Sequence, residues 1–141
     1  MSMPHQATCV AVAGRGVLIE GAPGTGKSSL ALALIDRGAM LVGDDGVLLS
    51  AHDGRLIAAP HPEISGKLEV RNVGLVDMPV AAAIPVALVL RLDADAPRFI
   101  DAPETVHLAG IALPLVHLFP DTPALALRAE IALATYGLTI S

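Results

Sequence analysis

Glu20-Gly21-Ala22-Pro23-Gly24-Thr25-Gly26-Lys27-Ser28-Ser29-Leu30, with Gly16-Val17-Leu18-Ile19 ahead of it and Ala31 to Arg37 behind, decides how this chain folds. Residues Gly21 to Ser28 satisfy G-x-x-x-x-G-K-[ST], the P-loop pattern. The run Gly16 to Glu20 predicts a short buried strand. Lys27 to Arg37 predicts a helix with Leu30, Ala31, Leu34 and Ile35 as its apolar stripe, stopped by Gly38. A glycine-rich loop between a strand and a helix is a phosphate cradle for physical reasons. Residues without a Cβ let the backbone curl round an anion with successive N–H groups pointing inward. The helix that follows adds the positive end of its dipole. Lys27 is then placed to reach the β- and γ-phosphates of a nucleotide, and the Ser28 hydroxyl to ligate Mg²⁺. Gly21, Ala22, Pro23, Gly24, Thr25, Gly26, Lys27 and Ser28 are the candidate nucleotide-binding residues.

The bulk numbers narrow the setting. The chain has 141 residues, 53% apolar and 16% charged, which predicts one ordered domain over residues 1–141. Tyr136, Phe99 and Phe119 are its only aromatics, so the core is built from Leu, Ile, Val and Ala. That scarcity speaks against base-stacking platforms, and a net charge of −5 against a basic face for nucleic acid. Cys9 is the sole cysteine; it forms no internal disulfide and fits a reducing compartment. The most apolar run, Met78 to Leu90, is interrupted by Pro79 and Pro85 and is too short to span a bilayer. The expectation is a cytoplasmic protein that binds neither membrane nor nucleic acid.

Working outward, Ala39 to Val42 predicts a second strand that runs into Gly43-Asp44-Asp45. Val47 to Ser50 and Arg55 to Ala58 flank His52-Asp53-Gly54, a hairpin signal with positive φ supplied by Asp-Gly. Pro60-His61-Pro62 breaks the pattern, and Gly66 to Val76 carries Lys67, Glu69 and Arg71 among apolar residues. Val86 to Leu92 predicts a buried strand ending at Asp93, followed by a surface loop from Ala94 to Pro103. Thr105 to Leu108 and Ile111 to Leu113 predict two strands about Ala109-Gly110. Thr122 as N-cap and Pro123 at the first position open a last helix, Ala124 to Tyr136, closed by Gly137. The class is α/β with a mixed sheet, richer in hairpins than a doubly wound fold.

Phosphoryl transfer also needs carboxylates to hold a metal and to orient or deprotonate the acceptor. Asp44-Asp45 lies at the carboxyl end of an apolar strand, where ligands bind in open α/β sheets. Asp93 ends another apolar strand and is the rival. His52, His61, His107 and His117 show no metal-ligand spacing. Sequence alone leaves His5 in a loose terminus.

These residues resemble the catalytic domain of HPr kinase/phosphorylase, in the compact form without a separate N-terminal domain. The likeness rests on Gly26-Lys27-Ser28-Ser29-Leu30-Ala31-Leu32, on Arg37-Gly38 through Asp44-Asp45-Gly46-Val47, and on Leu68-Glu69-Val70-Arg71-Asn72-Val73-Gly74-Leu75-Val76. Upstream, His5 matches a family histidine if one extra residue is allowed. The resemblance implies a P-loop-containing, PEP-carboxykinase-like/HPr-kinase fold and ATP with Mg²⁺ as cofactors. It implies an HPr-type phosphocarrier protein of the sugar/nitrogen phosphotransferase system as partner, and a hexamer. It makes Asp45 the base for the acceptor serine, with Asp44 in support. Ser28 and Glu69 become metal ligands, Arg71 a residue used in both directions of transfer, and His5 a neighbour of the phosphate. The chain departs from the family pattern at Ser29, where a Glu is usual, and after Pro103, where Arg128 is its only basic residue. Kinase chemistry is accordingly better supported than phosphorolysis. A small-molecule P-loop kinase using Asp93, or a nucleotide sensor without catalysis, remain the alternatives.

Overall fold

The computed structural model describes residues 2–120 and 123–140; Thr122, read above as a helix cap, lies outside them. Strands β1 (Ser2–His5), β2 (Thr8–Val12) and β3 (Arg15–Gly21) lead into helix α1 (Lys27–Asp36). Strands β4 (Met40–Gly43), β5 (Val47–His52), β6 (Arg55–Pro60), β7 (Lys67–Val70), β8 (Gly74–Asp77) and β9 (Ile84–Leu92) follow. Then come β10 (Glu104–Leu108), β11 (Ile111–Leu118) and helix α2 (Leu125–Tyr136).

The main sheet runs β1-β5-β6-β9-β3-β2-β4, with β11 also on β9 and β10 outside β11. Its parallel centre is β3-β9-β11, and every other pairing is antiparallel. With β3 on one edge, β9 pairs its first residues with β6 and its last four with β11. Sharing one edge between two strands forks the sheet and lets it curl. An irregularity in the β3/β9 register, where Gly16 faces Val86 but Val17 faces Leu88, resets the alternation of side chains. Leu88, Leu90 and Leu92 therefore face the helices, while Val86 and Val89 face the β5–β6 hairpin.

Two apolar clusters result. One packs Leu30, Ala31 and Leu34 of α1 and Ala129, Ala132 and Leu133 of α2 onto Val17, Ile19 and the β9 leucines. The other closes Val47, Leu49, Leu56 and Ala58 over Leu18, Val89, Leu113 and Leu115. Each buried leucine contributes about 1.5–3 kcal/mol relative to exposure, and the clusters hold the central strands from both faces.

The predicted strand-loop-helix and both turns are present: Asp53 and Gly54 have φ of 52° and 77°, and Ala109 and Gly110 of 50° and 79°. Helix α2 begins at Leu125 with Ala124 as its N-cap, so Pro123 precedes it rather than opening it, and three strands also differ from the reading of the sequence. Residues 2–5 form an edge strand on β5, with His5 opposite Val47; a short exposed strand containing Pro4 carries no alternating pattern to announce it. Strand β2, which the sequence did not announce, lies between β3 and β4. Strand β11 extends to Leu118, through Pro114, because its edge facing β9 is paired only from Leu115 onward.

Candidate active site

The loop after β3 is shaped by its own backbone. Gly26 caps α1 with φ 98°, a left-handed conformation that glycine adopts without a Cβ penalty. The Thr25 amide and hydroxyl both donate to the Ala22 carbonyl, at 3.2 and 2.8 Å. The Lys27 ammonium crosses the loop and donates to the Gly21 and Ala22 carbonyls, at 3.0 and 3.4 Å. That leaves the amino end of α1 open toward a cavity of about 340 Å³.

Facing the loop is the turn after β4. A Cβ on Gly43 would collide with the Gly46 carbonyl oxygen, so only glycine lets Asp44 and Asp45 turn this tightly. Asp44 Oδ1 accepts hydrogen bonds from the Ser28 hydroxyl at 2.7 Å and the Thr8 hydroxyl at 3.0 Å. Its Oδ2 accepts from the Glu69 amide at 2.9 Å. Asp45 has φ 59°, a region costly for most side chains but tolerated by Asp. Its exposed carboxylate lines the cavity with Gln6, Lys27, Ser28, Ser29, Glu69 and Arg71.

The donor set around this cavity fits Mg²⁺. Ser28, Asp45 and Glu69 offer hard oxygen ligands in the cavity lining, and Asp44 stands behind Ser28. Among the described residues no group of three or more His, Cys, Asp or Glu could cage a metal unaided. One or two carboxylates completed by phosphate oxygens and water is the usual Mg²⁺ arrangement.

The structure thus brings Gly21, Pro23, Gly24, Gly26, Lys27, Ser28, Asp45, Glu69 and Arg71 to one cavity. Asp44 sits behind Ser28, and Ala22 and Thr25 hold the loop together. His5 stands one contact back: its Nε2 donates to Glu20 at 2.9 Å, while Gln6 lines the cavity. Arg91 binds the other Glu20 oxygen at 2.9 Å. The His5 hydrogen bond first, then Arg91, hold the Glu20 carboxyl below its ordinary range despite desolvation. The rival acid is elsewhere. Asp93 Oδ1 accepts from the Asp95 amide at 2.8 Å and Oδ2 faces His117 Nδ1 at 3.0 Å, while Glu104 meets His117 Nε2 at 2.8 Å. Cys9 is fully buried, which pushes its thiol up to about 12 and makes it a packing residue.

Gln6, Thr8, Glu20 and Arg91 escaped the sequence reading. The alternation of Glu20 with Leu18, and of Arg91 with Val89, was a signal for the last two: each is a charge in the inward register of a core strand. Nothing local marks Gln6 or Thr8, because a strand missed in the sequence hides the residues it aims.

Comparison with known proteins agrees with this geometry. The family model described as the HPr Serine kinase C-terminal domain matches residues 2–83. An HPr kinase/phosphorylase of Clostridium tetani is 49% identical over 70 residues, covering 50% of this chain and 23% of that protein. One from Chlorobium phaeobacteroides is 33% identical over 127 residues, covering 81% of this chain and 38% of that protein. The chain thus spans well under half the length of these curated relatives. The solved Hpr(Ser) kinase/phosphatase of Coxiella burnetii superposes with a TM-score of 0.83 at 29% identity, covering 94% of both chains. With the family model spanning more than half of its residues and the curled mixed sheet matching a solved member, the chain belongs to the HPr serine kinase C-terminal domain family.

Proposed function

We propose that this chain is an ATP-dependent protein kinase that phosphorylates a serine of an HPr-type phosphocarrier protein in a sugar/nitrogen phosphotransferase system. Residues 1–141 act as one cytoplasmic catalytic domain, in a homo-oligomer that is a hexamer by family. The observation that carries the reading is one cavity lined together by the glycines of the loop, Lys27, Ser28, Asp45, Glu69 and Arg71.

In this reading Gly21 to Ser28 form the P-loop that wraps the β- and γ-phosphates of ATP. Lys27 exchanges its carbonyl partners for phosphate oxygens. Ser28 and Glu69 would hold Mg²⁺, which would supply charge neutralisation at the phosphates. The acceptor serine Oγ attacks the γ-phosphorus while its proton passes to the Asp45 carboxylate. The new O–P bond forms as the bond to the β–γ bridging oxygen breaks, and ADP leaves with that electron pair. Asp44 fixes Ser28, Arg71 faces the transferring group, and His5 steadies Glu20 beside Gly21. Phosphorolysis would run the same residues backward, with inorganic phosphate as nucleophile and Asp45 returning the proton. Arg128, the basic residue available after Pro103, lies on α2 and donates to the Phe119 carbonyl at 3.4 Å, away from this cavity. A small-molecule kinase built on Asp93 is disfavoured by that residue's engagement with His117 and Asp95.

The test is incubation of the chain with labelled ATP, Mg²⁺ and an HPr-type protein. Label is expected on a serine, and Asp45→Asn is expected to slow transfer by about 10²–10⁴-fold, the usual contribution of a general base, while ATP still binds. Intact nucleotide binding with no labelled serine after long incubation would instead make the protein a nucleotide sensor.

A further inference from the structure

Thr8 is the one polar residue in the buried core of the described chain, at 0% exposure. Its neighbours are apolar: Ala7, Cys9 and Val10 beside it are also fully buried. A buried hydroxyl needs an acceptor, and this one uses Asp44 Oδ1, the same oxygen that receives the Ser28 hydroxyl. The backbone has been adjusted for the contact. Strand β2 pairs with β4 so that Val10 faces Leu41 but Cys9 faces Gly43, the extra residue being Val42. Continuing that antiparallel register sets Thr8 level with Asp44. Without the extra residue Thr8 would face Gly43, and Asp44 would face Ala7, which has nothing to donate. Bulges of this kind commonly re-aim a side chain beside an active site. A β-branched side chain in a strand has few χ1 choices, so the hydroxyl is held on its target.

We infer that Thr8 is a positioning residue: its hydroxyl fixes the Asp44 carboxylate in the orientation that presents Ser28 to the metal-bound nucleotide. The inference rests on the kinase reading above. Asp44 is held by three donors, from β2, from the start of α1 and from β7. The β2 donor alone comes from the core of the sheet; Ser28 is the group being positioned, and the Glu69 amide belongs to an exposed position of β7 beside the cavity. Removing Thr8's hydroxyl leaves Asp44 tied only to parts that ligands touch.

The test compares the full chain with Thr8→Val and Thr8→Ser. Calorimetric titration with ATP, in Mg²⁺ and in EDTA, measures how much the metal improves nucleotide affinity. Steady-state transfer to an HPr-type protein gives kcat and KM, and thermal melting checks the fold. A hydrogen bond to a charged group sets the scale at about tenfold to a hundredfold. Thr8→Val is expected to reduce the Mg²⁺-dependent gain in affinity by about tenfold, leave affinity in EDTA unchanged and lower kcat with KM for the acceptor protein unaltered. Thr8→Ser, which keeps the hydroxyl, is expected to restore both. If Thr8→Val does not fold, Thr8→Ala removes the same group and is read in its place. A wild-type metal gain in Thr8→Val, or Thr8→Ser as impaired as Thr8→Val, overturns the inference. Absence of transfer by the wild-type chain would instead sink the kinase reading, and the metal gain in binding would still decide the part played by Thr8.

Discussion

Two strands of this protein end in the same way and come to different ends. Strand β4 delivers Leu41-Val42-Gly43 to Asp44-Asp45, and β9 delivers Leu90-Arg91-Leu92 to Asp93. Each is an apolar strand followed by acid, and each points its carboxyl end toward the edge where α/β sheets bind ligands. At β4 the acids meet hydroxyl and amide donors from three other elements and one of them opens onto the loop cavity. At β9 the acid is tied down by the amide of its own turn and by His117 of the neighbouring strand. The Asp95 amide first, with His117 after it, keeps the Asp93 carboxyl below its ordinary range. What separates the two is therefore the neighbouring strand: β2 carries Thr8 up to Asp44, whereas β11 carries His117 up to Asp93. An aspartate's role is set by what its neighbours leave free.

The sharpest way to break that contrast is to neutralise one acid on each strand. Asp45→Asn is expected to cut kcat for serine phosphorylation by about 10²–10⁴-fold, and Asp93→Asn to leave it within about twofold. Matching losses in the two variants would return Asp93 to the active site. A smaller effect is expected at Glu69, an exposed residue of β7 that lines the cavity. Glu69→Ala is expected to raise KM for Mg-ATP by about tenfold while the chain melts as before, since one charge-assisted contact is worth about that factor. An unchanged KM together with a large fall in melting temperature would make Glu69 a structural residue.

Much of this is legible in the sequence. The glycine loop, its strand and its helix announce themselves through spacing that few other folds require, and the Asp-Gly and Ala-Gly turns are each marked by a glycine able to take positive φ. Asp44 and Asp45 could be nominated, but not chosen over Asp93, because local sequence says nothing about which strand lies alongside. Strand β2 was invisible for a related reason: Thr8-Cys9-Val10-Ala11 is buried on both faces, so it lacks the alternation that marks a half-exposed strand. With β2 missed, Thr8 and Gln6 had no place to act. The His5 imidazole is turned toward Glu20, and Gln6 takes the cavity wall.

The same edge of the sheet carries a milder, measurable difference in charge. Glu20, Arg91 and His117 stand side by side on β3, β9 and β11, since Glu20 pairs with Arg91 and Arg91 with His117. Glu20 is the most enclosed of the paired carboxylates, its side chain 15% exposed. Its pKa is lowered in the fold, chiefly by the His5 hydrogen bond and then by Arg91. A carboxylate whose folded pKa is depressed stabilises the native state above the ordinary carboxylate pKa of about 4.3. That stabilisation is lost as pH falls from there through the depressed folded value. Glu20→Gln is therefore expected to lower stability at pH 7 by on the order of 1 kcal/mol, the scale of a hydrogen bond to a charged group, and by progressively less below pH 4. Urea midpoints at pH 7 and pH 3 read the effect directly. A gap between wild type and Glu20→Gln that stays constant across that range would mean Glu20 contributes by shape alone, and the charge ladder beside the loop would lose its meaning.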